Sequence, residues 1–353
     1  MSEEYSILAT LRYDPNLTDL KEIDFEDRYL DPITCLTVNN ELNLNWIEGY
    51  KWDSQLVGEN TKDFTVIQQE FSELNKVNAP LKHLSSQLIE DNLQRQLPIR
   101  DFYLSRFLFL SQHLDRINMT LKYFHNPKSS IMLQEFENLL IDTVCTENKS
   151  YEEILEDIKK GDDNQIYKIR VLINKKGQLR AEKHPLPSPT FTNDSRPLNC
   201  SDYLIKVLLS GFDEKSDKVW DIVIDPQPLK STTPFTTFKT TYRPHYTLAR
   251  ERMVEIISKY RYPSKDSTHC EILVHNENNE IMEGSISNIA IKKGNTWVTP
   301  PLSSGCLCGI FRFFLLQKGY IQEGNIQLDE ISIGDTVLIF NGVMGCIKAI
   351  IRQ

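Results

Sequence analysis

The apolar and polar positions divide the chain into two differently patterned halves. Ser6–Tyr13 reads as an opening strand and Phe102–Leu110 as a second, buried one. Between them, residues 14–99 are irregular apart from one helical spacing, Leu81, Leu84, Leu88 and Leu93 within Leu81–Leu97. Ser111 stands where it would cap a helix running to about Phe124, and further helices are predicted over Ile131–Val144 and Tyr151–Lys160. Ile166–Ile173, a Lys175-Lys176-Gly177 turn and Gln178–Glu182 predict a β-hairpin. The later half predicts a strand over Val219–Ile224, a helix over Tyr246–Tyr260 and strands over Glu271–His275, Ser285–Lys292 and Thr296–Thr299. A helix over Gly309–Lys318 and two strands within Thr336–Ile351 complete it.

Strands and helices in this half do not alternate as βαβ units. An α+β fold with a largely antiparallel or barrel-like sheet is expected. Three prolines between His184 and Pro189 favour extended chain and mark a linker. The expected domains are therefore 1–183, with a long insertion at about 14–100, and 197–353, joined by 184–196.

At 353 residues the chain exceeds one small core, in keeping with two domains. Its 49 acidic and 40 basic residues give a net charge of −9. That balance argues against nucleic acid and against an anionic membrane surface as partners, and leaves room for a local basic pocket taking a small anion. The acidic start lacks the pattern of a leader peptide, and no apolar run approaches a membrane span, so a cytoplasmic protein is expected. The seven cysteines form no C-x-x-C pair, which predicts reduced thiols and no metal site.

Four short segments carry candidate chemistry. Lys239 sits in a threonine-rich, aromatic stretch, Phe238–Arg243, just before a helix; a desolvated lysine there would suit Schiff-base formation. Glu283-Gly284 opens onto Asn288, and a carboxylate at a strand start could face a cofactor. Thr299–Arg312 is a proline- and glycine-shaped loop entering a helix, a ready phosphate site that is neither G-x-G-x-x-G nor a Walker loop. His113 and Arg116 lie three apart on one helix face, and Arg116 could reach a phosphate. Taken singly, each segment is better explained as ordinary surface or turn.

Their order and spacing resemble the fold type IV family of pyridoxal-phosphate enzymes, which includes branched-chain and D-amino-acid aminotransferases and 4-amino-4-deoxychorismate lyases. The matching residues are His113 and Arg116, then Lys239, then Glu283-Gly284 with Asn288, then Thr299, Pro300, Leu302, Gly305, Gly309 and Arg312. Within the family, Lys239-Thr240 with Arg243, Tyr246 and Ala249-Arg250 is most similar to the eukaryotic, fungal-type lyases. Leu11-Arg12-Tyr13 and Phe340–Gly345 point the same way. Cys308, Phe311 and Tyr242 depart from the usual proline, threonine and asparagine or threonine.

The resemblance implies a small α/β sandwich domain and a pseudo-barrel domain, with pyridoxal 5'-phosphate in the cleft between them. It implies that Lys239 binds the cofactor as a Schiff base and then acts as general base. Glu283 would pair with the pyridine nitrogen, while Arg116 and the N–H groups of Gly309, Ile310 and Phe311 would hold the phosphate. Asn288 and Asn341 would support the pocket. The reaction implied is conversion of 4-amino-4-deoxychorismate to p-aminobenzoate and pyruvate. An aminotransferase on the same scaffold and a non-catalytic binding descendant are the alternatives. A dicarboxylate substrate calls for arginines, and Arg12, Arg170 and Arg243 are the candidates. The family is usually homodimeric; here the insertion would cover that face, which favours a monomer.

Overall fold

The computed structural model describes residues 5–17, 62–69, 99–145, 153, 165–189, 203–214, 216, 218–229, 234–259 and 269–353. The chain forms two compact units. One comprises Glu4–Leu30 and Glu73–Val207, the other Met1–Glu3, Asp31–Ser72 and Leu208–Gln353.

The first unit is built on an antiparallel sheet in the order β1-β2-β3, with β1 Ile7–Tyr13, β2 Tyr167–Ile173 and β3 Leu179–Pro185. The register sets Ile7 opposite Ile173, Ala9 opposite Val171 and Leu11 opposite Ile169. Strand alternation puts these six side chains on one face. There they meet Leu114, Ile117 and Leu121 of helix Leu110–Tyr123 and Phe136 and Leu140 of helix Leu133–Val144. Each such buried side chain contributes roughly 1.5–3 kcal/mol, so this face holds the unit together. The other face of the pair carries Arg12 opposite Lys168 and Thr10 opposite Arg170.

Phe102–Leu110 is not a strand. Ile99–Leu104 is helical, and only Phe107 bridges to Tyr13, flanked by the Asp14 N–H to Arg106 carbonyl and Leu108 N–H to Arg12 carbonyl bonds at 2.9 Å. A short apolar run has no period that separates strand from buried helix. Ser111 is not the cap either. The chain enters the helix through Phe109 in the left-handed region (φ 58°), which makes Leu110 the first helical residue. The proline-rich stretch begins inside the sheet. Pro185 pairs with Tyr167, and Leu186 N–H bonds the Ile166 carbonyl at 2.8 Å, whereas the units divide between Val207 and Leu208. Pro185 is tolerated because β3 is an edge strand. The predicted helices at Leu81–Leu97 and Tyr151–Lys160 lie outside the described residues, save residue 153.

The second unit is a mixed eight-stranded sheet in the order β6-β5-β4-β11-β10-β7-β8-β9. In chain order these are β4 Val219–Ile224, β5 Cys270–His275, β6 Ile281–Gly284, β7 Asn288–Lys293, β8 Thr296–Thr299, β9 Gln322–Glu323, β10 Thr336–Asn341 and β11 Gly345–Ile351. The β4–β5, β11–β4 and β8–β9 pairs are parallel, so the sheet is less antiparallel than expected. β6 ends one edge of the order and β7 lies near the other, yet only residues 285–287 join them. With three residues between them, the two strand ends can lie about 14 Å apart at most, so the sheet must curl until β6 and β7 meet, giving a half-barrel. Its inner core includes Ile222, Leu273, Ile289, Ile291, Val337 and Ile339. Helix Pro244–Lys259 packs on β5 and helix Ile310–Gln317 on β10. Residues 62–69, from the predicted insertion, belong to this unit. Phe64 N–H bonds the Asn295 carbonyl at 3.1 Å, and its ring meets Trp297 edge-on at 6.4 Å.

Candidate active site

The curl of the half-barrel brings three segments together. Glu283 lies near the end of β6 and Asn288 begins β7, so the short turn between them aims both side chains into one place. Glu283 is buried. Its Oε1 accepts the Tyr246 hydroxyl, its Oε2 accepts Asn288 Nδ2 at 3.4 Å, and its carboxylate also accepts the Leu307 N–H. Burial pushes its carboxyl up to about 7, against the pull of those donors and of the Arg243 and Lys239 charges. Lys239, half-buried, follows the short helix Pro234–Thr237 and is flanked by the buried Phe238 and Thr240. Its charge is among the causes acting on Glu283, so the two predicted residues share one neighbourhood.

The glycine-shaped loop closes against both. Cys308 N–H bonds the Thr237 carbonyl at 3.3 Å, tying the loop to the lysine segment. Asn288 Nδ2 donates to the Leu307 carbonyl at 3.0 Å. A Cβ on Gly309 would lie 1.9 Å from Asn288 Oδ1, so only glycine lets the loop approach so closely. Helix Ile310–Gln317 then starts without a side-chain cap, and a helix start of this kind favours an anion. Arg312 is engaged by the chain itself. It is buried and holds the loop, donating to the Pro300 carbonyl at 2.8 Å and pairing with Glu323. Burial pushes the Cys306 thiol up to about 12 and raises that of Cys346, so neither is reactive.

Asn341 supports the site from β10. Its Nδ2 donates to the Ile286 carbonyl at 3.0 Å, and its Oδ1 accepts the N–H groups of Val343 and Met344 at 2.9 Å. Arg243 donates to the Ser285 carbonyl and stacks over the Tyr246 ring, 4.4 Å from its centroid. The remaining predicted residues sit in the other unit. Arg116 and His113 are both buried on helix Leu110–Tyr123. Arg12 is buried, with Nε 2.8 Å from Asp14, which also accepts the Tyr203 hydroxyl at 2.8 Å. Arg170 pairs with Glu182, directly across the sheet, at 3.0 Å. Both of these arginines thus already hold a carboxylate of the chain.

Two residues of this site had no role assigned from sequence. Tyr246 shares Glu283, and Glu271 on β5 bonds the whole 285–287 turn. The second left a signal, a lone carboxylate in the apolar run Cys270–His275, since an unpaired charge does not stay buried.

A half-buried lysine and a buried carboxylate thus share one neighbourhood beside a glycine-cut helix start, an arrangement found in enzymes that work on amines. The family described as "Amino-transferase class IV" matches residues 100–350, well over half the chain, and the chain belongs to it. The aminodeoxychorismate lyase of Saccharomyces cerevisiae is 33% identical over 99% of this chain and 93% of its own length. Among solved structures, the 4-amino-4-deoxychorismate lyase of Pseudomonas aeruginosa covers 70% of this chain and 78% of its own, with 15% identity and a TM-score of 0.44. The PLP-form branched-chain aminotransferase of Thermobaculum terrenum covers 69% and 70%, with 13% identity and a TM-score of 0.45.

Proposed function

We propose that the chain is a pyridoxal-phosphate-dependent lyase that converts 4-amino-4-deoxychorismate to p-aminobenzoate and pyruvate. The observation that carries this reading is the near-full-length similarity to the Saccharomyces cerevisiae enzyme. The residues present fit the cofactor. A lysine amine, a buried carboxylate and an uncapped helix start lie within one unit, and the buried Thr237 hydroxyl beside the loop lacks a partner. Lys239 would hold its aldehyde carbon, Glu283 its ring nitrogen, and the N–H groups of Ile310 and Phe311 its phosphate. When bound, pyridoxal phosphate supplies a carbonyl that condenses with amines and a ring that takes up the electron pair left by C–H cleavage.

The chain's own part is proton handling and orientation. Lys239 Nζ would serve as the base that takes the proton from the substrate carbon bearing the amine. The neighbouring C–O bond to the enolpyruvyl group then breaks, the six-membered ring becomes aromatic, and the released enol gains a proton to become pyruvate. Glu283, with a proton affinity near neutrality, can stand as a carboxylate against a protonated ring nitrogen without giving up much energy. Of the three candidate arginines, Arg243 alone bonds a carbonyl rather than a carboxylate, and it is the one we assign to a substrate carboxylate.

An assay of p-aminobenzoate fluorescence, run with and without a 2-oxo acid, tests the reading. Formation should not depend on the acceptor. A strict requirement for the acceptor would replace the lyase with an aminotransferase.

A further inference from the structure

Glu271, the second residue of β5, lies outside the residues assigned to the cofactor, yet its buried carboxylate holds the turn that carries them. Oε1 accepts the Ile272 N–H at 2.9 Å, the Ser285 N–H at 3.1 Å and the Ser285 hydroxyl at 2.6 Å. Oε2 accepts the Ile286 N–H at 3.1 Å and the Ser287 hydroxyl at 2.9 Å. Arg250 stands 3.9 Å from Oε1 and donates to Ser285 Oγ at 3.0 Å, so the charge has a cation beside it.

A carboxylate taken out of water is costly unless its lone pairs are met. Here four of the five donors belong to residues 285–287, so the carboxylate and the turn stabilise one another. Gly284 makes room for this. A Cβ there would meet Glu271 Cγ and Cδ at 2.8 Å and Ser287 Oγ at 2.5 Å. The clamped turn is bounded by Glu283-Gly284 on one side and Asn288 on the other. Asn341 holds Ile286 through its carbonyl, so the turn is gripped at N–H groups and hydroxyls by Glu271 and at a carbonyl by β10.

We propose that Glu271 is a positioning residue of the active site: by clamping residues 285–287 it fixes where Glu283 and Asn288 project, and so how tightly Glu283 meets the cofactor's ring nitrogen. The proposal rests on the cofactor reading above, and its test keeps the two apart. Pyridoxal phosphate is titrated into full-length wild type, Glu271→Gln and Ser287→Ala, with the dissociation constant and the pH midpoint of the bound cofactor's absorbance measured for each. The amide introduced by Glu271→Gln sets N–H against N–H or O–H on one side of the clamp, whereas Ser287→Ala removes one donor and leaves four.

Glu271→Gln should weaken binding about ten-fold or more, and Ser287→Ala about three-fold. Both should move the absorbance midpoint, which reports proton loss at the nitrogen joining Lys239 to the cofactor, to higher pH, because a displaced Glu283 no longer holds on the ring the positive charge that disfavours that proton. Lower thermal stability with an unchanged dissociation constant and midpoint would reduce Glu271 to a structural residue and overturn the proposal. Should Glu271→Gln fail to fold, Ser287→Ala decides by the same two readouts. Wild type that takes up no cofactor through Lys239 would sink the functional reading and this one with it. Tight wild-type binding with unaffected variants would sink this one alone.

Discussion

At Glu283 opposing forces meet on one carboxyl. The Tyr246 hydroxyl, the Leu307 N–H and two nearby cations all favour the carboxylate, yet burial outweighs them and holds the group at about 7. The folded value lies above the unfolded one, so the folded state binds the extra proton. The stability this confers is full below about 4.5 and lost as pH rises through about 7, on the order of 3 kcal/mol for a fully buried group. Thermal unfolding of the cofactor-free protein should therefore show a midpoint that falls over this window, and Glu283→Gln should flatten that slope. A wild-type slope equal to that of the variant would contradict the assignment. For Lys239, replacement by Ala should cut p-aminobenzoate formation at least about a thousand-fold while the fold persists, checked by activity beside circular dichroism. Lys239 and Glu283 were readable in the sequence only through their spacing to Asn288 and Arg312. Glu271 was not, because the serines it holds lie 14 and 16 residues further on and only the curl of the sheet brings them back.

Between residue and domain, the elements that matter are the 285–287 turn and the loop that ends at Gly309. The latter's contact with Asn288 makes a sharp prediction. Gly309→Ala must push Asn288 away, breaking its bonds to Glu283 and to the Leu307 carbonyl. Cofactor affinity should drop about ten-fold, with a stability cost of about 1–3 kcal/mol, measured by absorbance titration and thermal melting. Unchanged affinity would mean that the loop is not part of the site. Most elements here were legible because their period is clear. Thr296–Thr299 falls where the sequence puts it, and Val219–Ile224 likewise. The predicted strand Ser285–Lys292 instead begins at Asn288, and β6 went unseen. A four-residue strand ending in a glycine turn carries too little alternation to register, and its place is set by pairing with β5. Phe102–Leu110 failed for the opposite reason: it is apolar along most of its length, so burial masked its conformation.

Over the whole molecule, the chain's acidic balance leaves anion binding to particular places, and buried arginines such as Arg12 and Arg312 are already engaged. The α+β class follows from patterning, but the path of the insertion does not. Residues 62–69 join the half-barrel unit, with Phe64 against Trp297 and Gln68 donating to the Phe212 carbonyl. No periodic signal marks such a return, since it depends on one aromatic and a few backbone bonds. Phe64→Ala should lower stability by about 1–2 kcal/mol in denaturant unfolding without changing the cofactor's affinity. A large loss of cofactor binding would instead tie the segment to the site.

The central claim is that this chain eliminates rather than transfers. Pyridoxal-phosphate-loaded protein, given 4-amino-4-deoxychorismate and no 2-oxo acid, should release p-aminobenzoate and pyruvate in equal amounts over many turnovers. Release of neither product, or a burst that halts until a 2-oxo acid is added, would contradict it.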